Sequence, residues 1–382
     1  MKKNALNLTI IMLLFFSCSE VHEDIKVDEN DIGNQEMPEG LWLSYDSQRQ
    51  NAYISNRDSV YLLDVSNTSW LKPLGKFKTS YTVNRLRYYE KSKLLICALA
   101  KGGLEVWDIS NVNDPILTTT YQSPASDATS EYQTPEVVDA VAHQGNIFMA
   151  CFPFGLRVIN YNGDLIEEYG AQEAQRPVLS SAIAIDEQHQ ILYLSTRQPA
   201  SIYSFNLSNN QVSPLHYQKF KENTNRNKLQ IDWNGSRLYT SMEPIAADTT
   251  SLLGYVFEPG SLPDLENKIM TTAVKSNNEL APILAVAGDP YGNNMVNLSD
   301  INERVQQVEL GLAFSKVAGS VEQPQHISIF PSYKIPGHRA ALDMGVGYTY
   351  VVNSANQLFI FDHNNITRPS LVQEVKLSTL FN

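Results

Sequence analysis

A short sequence pattern recurs along the chain and constrains its fold more than any other feature. An alternating apolar segment ends in an acidic or amide residue, as in "VYLLDVSN" at Asp64 and "LEVWDISN" at Asp108. Five further copies, one of them the weak match "VQQVEL", end at Asn160, Asn206, Glu258, Glu309 and Asp362. The spacings are 44, 52, 46, 52, 51 and 53 residues, which indicates a repeat array rather than two or three separate domains.

Each copy contains the material for four short strands. A strand such as "NIFMACF" precedes the acidic or amide residue at a consistent distance, and another, such as "AIAID", precedes that one. A proline-led strand follows several copies, as in "DPILTTTY" and "RPSLVQEVKL". Four antiparallel strands repeated at this period predict an all-β fold, a β-propeller of seven four-stranded blades forming one repeat domain over 40–382. The weak sixth copy leaves open six blades with an insertion.

The recurring acidic or amide residue is predicted to have a structural role. An Asp or Asn at a strand end, followed by Ser and Asn, can bond the backbone two residues on and so start a turn. A proline then fixes the start of the outer strand. We therefore interpret the Asp series as turn residues rather than as a catalytic set. Both faces of each blade should be largely apolar, since each face packs on a neighbouring blade.

The segments "GGLEVWDISNVNDP", "VYLLDVSN" and "LFIFDHNNITRP" resemble the LVIVD-repeat family. The resemblance is close in the first, second and seventh copies and degenerate in the other four. It implies a propeller of a kind common among bacterial secreted and surface proteins. The family has no shared chemistry, so the resemblance implies no catalytic or binding residue.

The N-terminus predicts export and lipidation. Residues 1–17 have two lysines, an apolar run too short to span a bilayer, and a small residue just before Cys18. This resembles a bacterial lipoprotein signal peptide, in which Cys18 is diacylated; the alternative is an ordinary secretory signal with an incidental cysteine. Residues 18–39, with eight acids and one lysine, are predicted to form a disordered spacer. We expect a chain anchored to the bacterial outer membrane by lipid alone, surface-exposed or facing the periplasm.

Charge and cysteine content restrict the partners. The net charge is −12 and no run of Lys and Arg is present, which argues against nucleic acid. The expected partner is an envelope protein or a glycan, and the oligomeric state is not predicted. Cys97 and Cys151 lie in apolar strand-like runs without zinc-site spacing, and we expect two buried free thiols, with a disulfide as the alternative.

Candidate binding residues lie in loops expected at one end of the propeller. The loops joining the second and third strands, and the long connections 122–137, 272–282 and 315–339, should crowd around one mouth of the channel. Phe152 and Phe154 in "FPFG" could anchor a sugar ring or a partner side chain, or pack against 122–137. Three arginines, Arg57, Arg197 and Arg304, could receive a carboxylate, or could be solvated or locally paired.

Support for catalysis is thinner, and no catalytic residue is assigned. Tyr333, His338 and Arg339 lie close together in sequence before the last inner strand and are further binding candidates. Asp139 and Asp343 could line the channel and hold calcium or zinc with His338 as a base, which would give a metal-assisted hydrolase or lactonase. The leading hypothesis is a non-enzymatic, cofactor-free envelope lipoprotein whose propeller is a protein- or glycan-binding platform.

Overall fold

A computed structural model describes residues 40–123, 135–170, 178–197 and 201–207, and then 213–381 with gaps. The gaps are 220–228, 235–236, 243–253, 258–267, 275–279, 282, 289–293, 301–308, 317–326, 330–332, 338–339 and 367. The predicted signal peptide 1–17 and the spacer 18–39, including Cys18, lie outside the described residues.

The first four sheets follow one another along the chain. The first contains β1 (Trp42–Asp46), β2 (Asn51–Asn56), β3 (Ser59–Asp64) and β4 (Lys72–Lys78). The second contains β5 (Arg85–Tyr89), β6 (Leu94–Ala98), β7 (Leu104–Asp108) and β8 (Ile116–Tyr121). The third contains β9 (Glu136–His143), β10 (Asn146–Phe152), β11 (Gly155–Asn160) and β12 (Leu165–Tyr169). The fourth contains β13 (Ser180–Asp186), β14 (Ile191–Thr196), β15 (Ser201–Asn206) and β16 (Ser213–Lys219).

Three more sheets complete the described strands. The fifth contains β17 (Leu229–Asn234), β18 (Arg237–Met242), β19 (Gly254–Phe257) and β20 (Lys268–Val274), extended by β21 (Leu280–Ala281) and by β25 (Ile327–Ile329), which pairs with β20 in parallel. The sixth contains β22 (Ile283–Gly288), β23 (Asn294–Asp300), β24 (Glu309–Lys316) and β26 (Tyr333–Pro336). The seventh contains β27 (Ala340–Met344), β28 (Tyr348–Asn353), β29 (Gln357–Asp362) and β30 (Ser370–Lys376), and a short helix α1 (Leu377–Leu380) follows.

The sheets are arranged as blades of a propeller, so the all-β propeller prediction is confirmed. The first strand of each sheet contacts the first strand of the next, in the order β1, β5, β9 and β13, and on to β17. The fifth and sixth sheets meet through β22, which also contacts β27, and β27 contacts β1. The ring of inner strands therefore closes between the last sheet and the first.

The core lies between neighbouring blades, as the apolar character of both blade faces predicts. Tyr53 and Ile54 are adjacent in β2 and both fully buried. Tyr53 packs with Leu95 of the second blade, whereas Ile54 packs with Val352 of the seventh. Successive side chains of β2 thus point to opposite faces and pack on different neighbouring blades. Each layer between two blades is an apolar core of its own.

The turn role predicted for the repeating acidic or amide residue is confirmed at Asp64, Asp108, Asn160 and Asp362. The Oδ1 of Asp64 accepts a hydrogen bond from the N–H of Ser66 at 2.9 Å, and the Oδ1 of Asp108 accepts one from Ser110 at 2.7 Å. Asn160 does the same without a charge, accepting from Asn162 at 2.9 Å. These bonds stabilise the ionised carboxylates and hold the pKa of Asp64 and of Asp108 below the usual aspartate value.

The sixth copy of the repeat was wrongly aligned. Glu309 begins β24 instead of ending it, and the strand runs on to Lys316. Lys316 pairs with Asn294 as Asp64 pairs with Asn51, so Lys316 occupies the repeat position. Lysine has no acceptor for an Asx turn, and the pattern is therefore lost from the sequence while the strand remains.

Two segments predicted to be long loops contain strands. The range 272–282 includes the end of β20 and all of β21, and 315–339 includes β25 and β26. The prediction for 315–339 failed because the sixth copy was placed too early, which left its outer strand outside the repeat. The prediction for 272–282 failed because the outer strand of the fifth blade runs on to Val274 and pairs with β21. The connection 122–137 does join two blades, although residues 124–134 lie outside the described residues.

Cys97 and Cys151 are buried free thiols, as expected. They belong to different apolar layers, Cys97 between the first and second blades and Cys151 between the second and third. Burial raises the pKa of the Cys97 thiol well above its usual value. Among the residues that the structure describes, no helix has the length and hydrophobicity needed to cross a bilayer.

Candidate functional site

The turns between second and third strands and the connections between blades lie at the same end of the ring, because the four strands of a blade alternate in direction. We call this end the loop face, and the end with the first-to-second and third-to-fourth turns the opposite face. The described turns between second and third strands contain Arg57, Arg197 and residues 101–103, 153–154 and 353–356, which therefore all lie on the loop face.

The aromatic residues of "FPFG" support two arginines. Phe152 ends β10, is 9% exposed and belongs to the core between the third and fourth blades. The guanidinium carbon of Arg197 lies 3.8 Å from the centroid of its ring. Phe154 is half-buried, and the guanidinium carbon of Arg157 lies 5.4 Å from its ring centroid. The peptide bond between Phe152 and Pro153 is cis. Phe152 is thus a packed residue whose ring holds a cation towards the loop face.

A third arginine–aromatic pair lies at the inner strands. Trp42 begins β1 and Arg85 begins β5, and the Arg85 guanidinium carbon lies 4.1 Å from the Trp42 ring centroid. A guanidinium over an aromatic ring at such distances is attracted by the ring quadrupole and keeps its planar donors oriented. Aromatic rings therefore hold three arginines in fixed positions near the loop face; Arg85 and Arg157 are buried there, and Arg197 is half-buried.

The side chain of Asp139 connects three inner strands by hydrogen bonds. Its two oxygens accept hydrogen bonds from Arg87 of the second blade, Nε to Oδ1 at 2.9 Å and Nη2 to Oδ2 at 2.8 Å. They also accept the N–H of Ala140 at 2.9 Å and, from the fourth blade, the N–H of Ile183 at 3.0 Å. The Asp139 side chain is 1% exposed, so the pair is buried and almost fully hydrogen-bonded.

Asp343 forms a similar hydrogen-bonded connection between the seventh blade and the first, where the ring closes. Its Oδ2 accepts the N–H of Tyr45 in the first blade at 2.8 Å, and its Oδ1 accepts the N–H of Met344 at 2.8 Å. Asp343 pairs with Tyr350, two residues into β28, whereas Asp139 pairs with Ala150, four residues into β10. The two acids therefore share a bonding pattern but lie at different heights on the inner strands of different blades.

The proposed metal pair thus consists of two acids that bond backbone amides of adjacent blades. Within the ranges that the structure describes, no group of three or more His, Cys, Asp or Glu side chains is arranged to hold a metal ion. His338, the suggested base, lies outside those ranges.

The remaining sequence candidates are dispersed. Arg57 is exposed on the loop face, with a backbone φ of 56°, in the turn between β2 and β3. Tyr333 lies on the outer strand β26, where its hydroxyl donates to the carbonyl of Pro369 in the seventh blade. Its ring contacts those of Phe314 and Phe361. Arg304 and Arg339 lie outside the described residues.

The sequence analysis missed Trp42, Arg85, Arg87 and Arg157. Three of these are arginines within strands that are otherwise apolar or aromatic, at "RLRYY" and "GLRVIN". A charged residue within a strand packed on both faces needs a partner, and that was the available signal. Trp42 could be recognised only once its strand had been placed in the inner ring.

Fold and loop face together define the chain as a β-propeller. Two segments, 97–123 and 344–376, match the LVIVD repeat. Hydrazine synthase from Kuenenia stuttgartiensis is similar in structure, with 11% identity, a TM-score of 0.58 and coverage of 86% of this chain and 97% of that chain. Hsv2p from Kluyveromyces lactis has 13% identity, a TM-score of 0.54 and coverage of 88% and 98%. These similarities show the fold alone. A search of curated proteins gives no match to the chain.

Proposed function

We propose that the propeller is a non-enzymatic binding platform whose loop face contacts a protein or a glycan of the cell envelope. The observation that carries the proposal is the set of exposed side chains at that face, Arg57, Tyr81 and Lys101, beside Arg197, which is half-buried over the Phe152 ring. Arg85 and Arg157 also lie over aromatic rings, but both are buried. Aromatic and arginine side chains held in place before binding lose little entropy on contact, and they dominate the energetics of recognition surfaces.

The charge of the loop face adds to this argument. Arg57 is exposed, and the Lys101 side chain is 62% exposed with its Nζ 3.8 Å from Glu136 Oε1. Because this ion pair is long and partly solvated, it contributes little to stability. Lys101 or Glu136 can therefore bind a ligand group instead at a small cost in free energy. A carboxylate or a hydroxyl-rich ligand fits these donors.

The hydrolase alternative gains no support from the inner strands. Asp139 is surrounded by Arg87 and by two backbone amides, an arrangement that favours a structural tie over a metal ligand. We therefore keep binding as the single proposed function.

For the address, we propose export and lipid anchoring at Cys18, supported by the leader 1–17 and the acidic segment that follows it. Metabolic labelling with a fatty-acid analogue should mark the wild-type chain and not Cys18→Ala. Equal labelling of the two would overturn the anchor, without bearing on the loop face.

The binding proposal is tested by chemical crosslinking on intact cells of the source organism, followed by identification of what is covalently joined to the full chain. The informative variant combines Arg57→Asn, which suits the positive φ, with Lys101→Glu. The matched control is Lys91→Glu, a lysine whose side chain is 85% exposed in the first-to-second turn of the same blade, on the opposite face.

A partner or glycan joined to wild type and to the control, but lost from the loop-face variant, supports the proposal. Equal crosslinking of all three proteins would contradict it.

A further inference from the structure

One strongly exposed aromatic side chain lies on the loop face. Tyr81 is 50% exposed and lies in the connection between β4 and β5. Among the described residues, the other strongly exposed large apolar side chains lie away from the loop face, on outer strands or in turns of the opposite face: Trp70, Ile116, Leu117, Leu165, Ile166, Leu215, Val346, Leu371 and Val372. Tyr81 is therefore the only strongly exposed large apolar side chain on the described part of the loop face.

The ring of Tyr81 rests against a glycine. A Cβ added to Gly102 would lie 2.4 Å from Tyr81 Cδ2 and 2.5 Å from Cγ, closer than real contacts allow. Gly102 is buried although it lies in the turn between β6 and β7, next to the exposed Lys101. One side of the tyrosine ring is thus in contact with backbone, and the exposed half of its surface is available to a ligand.

The connection that carries Tyr81 is held from both sides. The N–H of Thr79 donates to the carbonyl of Asp58 at 2.9 Å, and the N–H of Val83 donates to the carbonyl of Arg57 at 2.8 Å, which fixes both ends to the first blade. The N–H of Ser80 donates to Glu105 Oε1 of the second blade at 2.9 Å. Thr79 Oγ1 also donates to the carbonyl of Tyr81 at 2.6 Å.

Glu105 shows that this arrangement is built into the blade. Glu105 is only 4% exposed although it is charged, and its second oxygen accepts the indole N–H of Trp107 at 3.0 Å. Breaking the bond between Glu105 and the Ser80 amide would leave a buried carboxylate oxygen without a partner, which costs more free energy than the hydrogen bond itself contributes. The bond therefore keeps this loop ordered. Tyr81 is consequently preorganised, and a ligand would not have to order it.

From this we infer that Tyr81, seated on Gly102, is a stacking platform for a pyranose ring, which makes the loop face a glycan-binding site. The inference rests on the proposed function and names its ligand class. A sugar presents a face of C–H groups that fits an aromatic ring and a rim of hydroxyls that need donors and acceptors. Arg57, Ser80 and Lys101 are exposed on the segments that border Tyr81 and supply donors.

A glycan fits the site better than a protein surface does. Protein interfaces are centred on several apolar or aromatic side chains that form one desolvated patch. On the described part of the loop face, Tyr81 is the only strongly exposed aromatic side chain, because Phe152 is buried and Trp42 and Phe154 are half-buried with an arginine over each ring. Such an isolated platform with a polar rim matches one sugar ring.

The test is affinity gel electrophoresis of the full chain in gels containing one soluble polysaccharide each: a mannan, a β-glucan, a xylan and polygalacturonate. We expect at least one to retard the wild type, and Tyr81→Ala to weaken that retardation about tenfold, the loss expected for one aromatic stack. Tyr81→Phe should stay close to wild type, since the ring and not the hydroxyl makes the contact. Gly102→Ala should weaken binding because it displaces the ring.

Trp70→Ala is the matched control, an aromatic residue that is 76% exposed in the third-to-fourth turn of the first blade. It should leave retardation unchanged. Circular dichroism confirms that each variant is folded.

Two outcomes overturn the inference: retardation by none of the four polysaccharides, or retardation that Tyr81→Ala leaves unchanged. If Arg57→Asn/Lys101→Glu abolishes retardation while Tyr81→Ala does not, the loop face still binds a glycan and only the stacking role fails. If no polysaccharide retards the protein but crosslinking finds a protein partner at the loop face, the glycan inference fails and the binding platform stands.

Discussion

At the scale of single residues, the polar groups buried between blades are the most consequential. Asp139 bonds the side chain of Arg87 and the backbone of Ile183, so one carboxylate connects the second, third and fourth blades. A sequence can show that an acid lies in an inner strand, as the alternation around Asp139 did. It cannot show whether that acid faces a ligand or a neighbouring arginine, because the partner lies 52 positions away in the chain.

Asp139→Ala should lower the free energy of unfolding by about 3–5 kcal/mol, because it leaves the Arg87 guanidinium buried without its counter-charge. Urea titration followed by tryptophan fluorescence measures the change. The control is Asp58→Ala, which removes a solvent-exposed pair with Lys78 and should cost about 0–1 kcal/mol. Similar losses for both variants would show that Asp139 is not a structural tie.

At the scale of elements, the third-to-fourth turn repeats with either an acid or an amide. Asp64 and Asp108 have a lowered pKa in the fold, so their stabilising contribution is complete above the unfolded aspartate pKa of about 3.9 and is lost as the pH falls through the lower, folded value. Asn160 makes the same backbone contact and does not titrate.

The double variant Asp64→Asn/Asp108→Asn should therefore be slightly less stable than wild type near pH 7, because it lacks the charge-assisted bonds, and should lose less stability than wild type below about pH 4. Urea midpoints measured from pH 7 to pH 2 give the comparison. An acid dependence that these substitutions do not alter would contradict the turn assignment.

The outer strands share a bulge with exposed apolar residues. In the first four blades and in the seventh the register shifts at the same point beside the repeat position. Leu117, Ile166, Leu215 and Val372 lie exposed at or next to the shift. Bulges interrupt an edge strand and hinder its pairing with another chain. Repetition of the bulge was invisible in the sequence, since no residue type marks it.

Leu165→Thr/Ile166→Thr should change the free energy of unfolding by no more than about 0.5 kcal/mol per site, because both side chains are exposed on β12. The same variant should remain soluble at higher concentration than wild type, as measured by light scattering. A large loss of stability would place these residues in an interface that buries them.

At the scale of the whole molecule, the ring closes without exchange of strands, since the first and last sheets are each continuous in sequence. Side chains join them instead: the Tyr45 and Tyr350 rings stack with centroids 4.7 Å apart, and Phe381 meets Tyr61 edge-on at 4.9 Å. Leu377 of α1 is 1% exposed and belongs to the apolar layer shared by the two sheets.

Leu377→Ala should cost about 2–5 kcal/mol, the range for removing a buried leucine side chain, and so lower the urea midpoint. Ser378→Ala, at the next and exposed position, should leave the midpoint unchanged. Equal midpoints for both variants would mean that the C-terminal residues do not contribute to closure.

The fold was largely predictable from the sequence because local alternation and a fixed period determine a blade. The copies at Asp64, Asp108 and Asp362 were strong enough to set the period, and only the sixth, where Lys316 replaces the turn residue, was misplaced. The candidate site was predicted only in outline. Loop positions follow from strand order, but the seating of Tyr81 on Gly102 depends on two blades meeting, which no local pattern encodes.

Site-specific photocrosslinking in the source organism would show whether the loop face is the binding face. A photoreactive residue replaces Lys101 on the loop face or Lys91 on the opposite face of the same blade. We expect a discrete crosslinked product from position 101 and none from position 91. A product from position 91 alone would contradict this expectation.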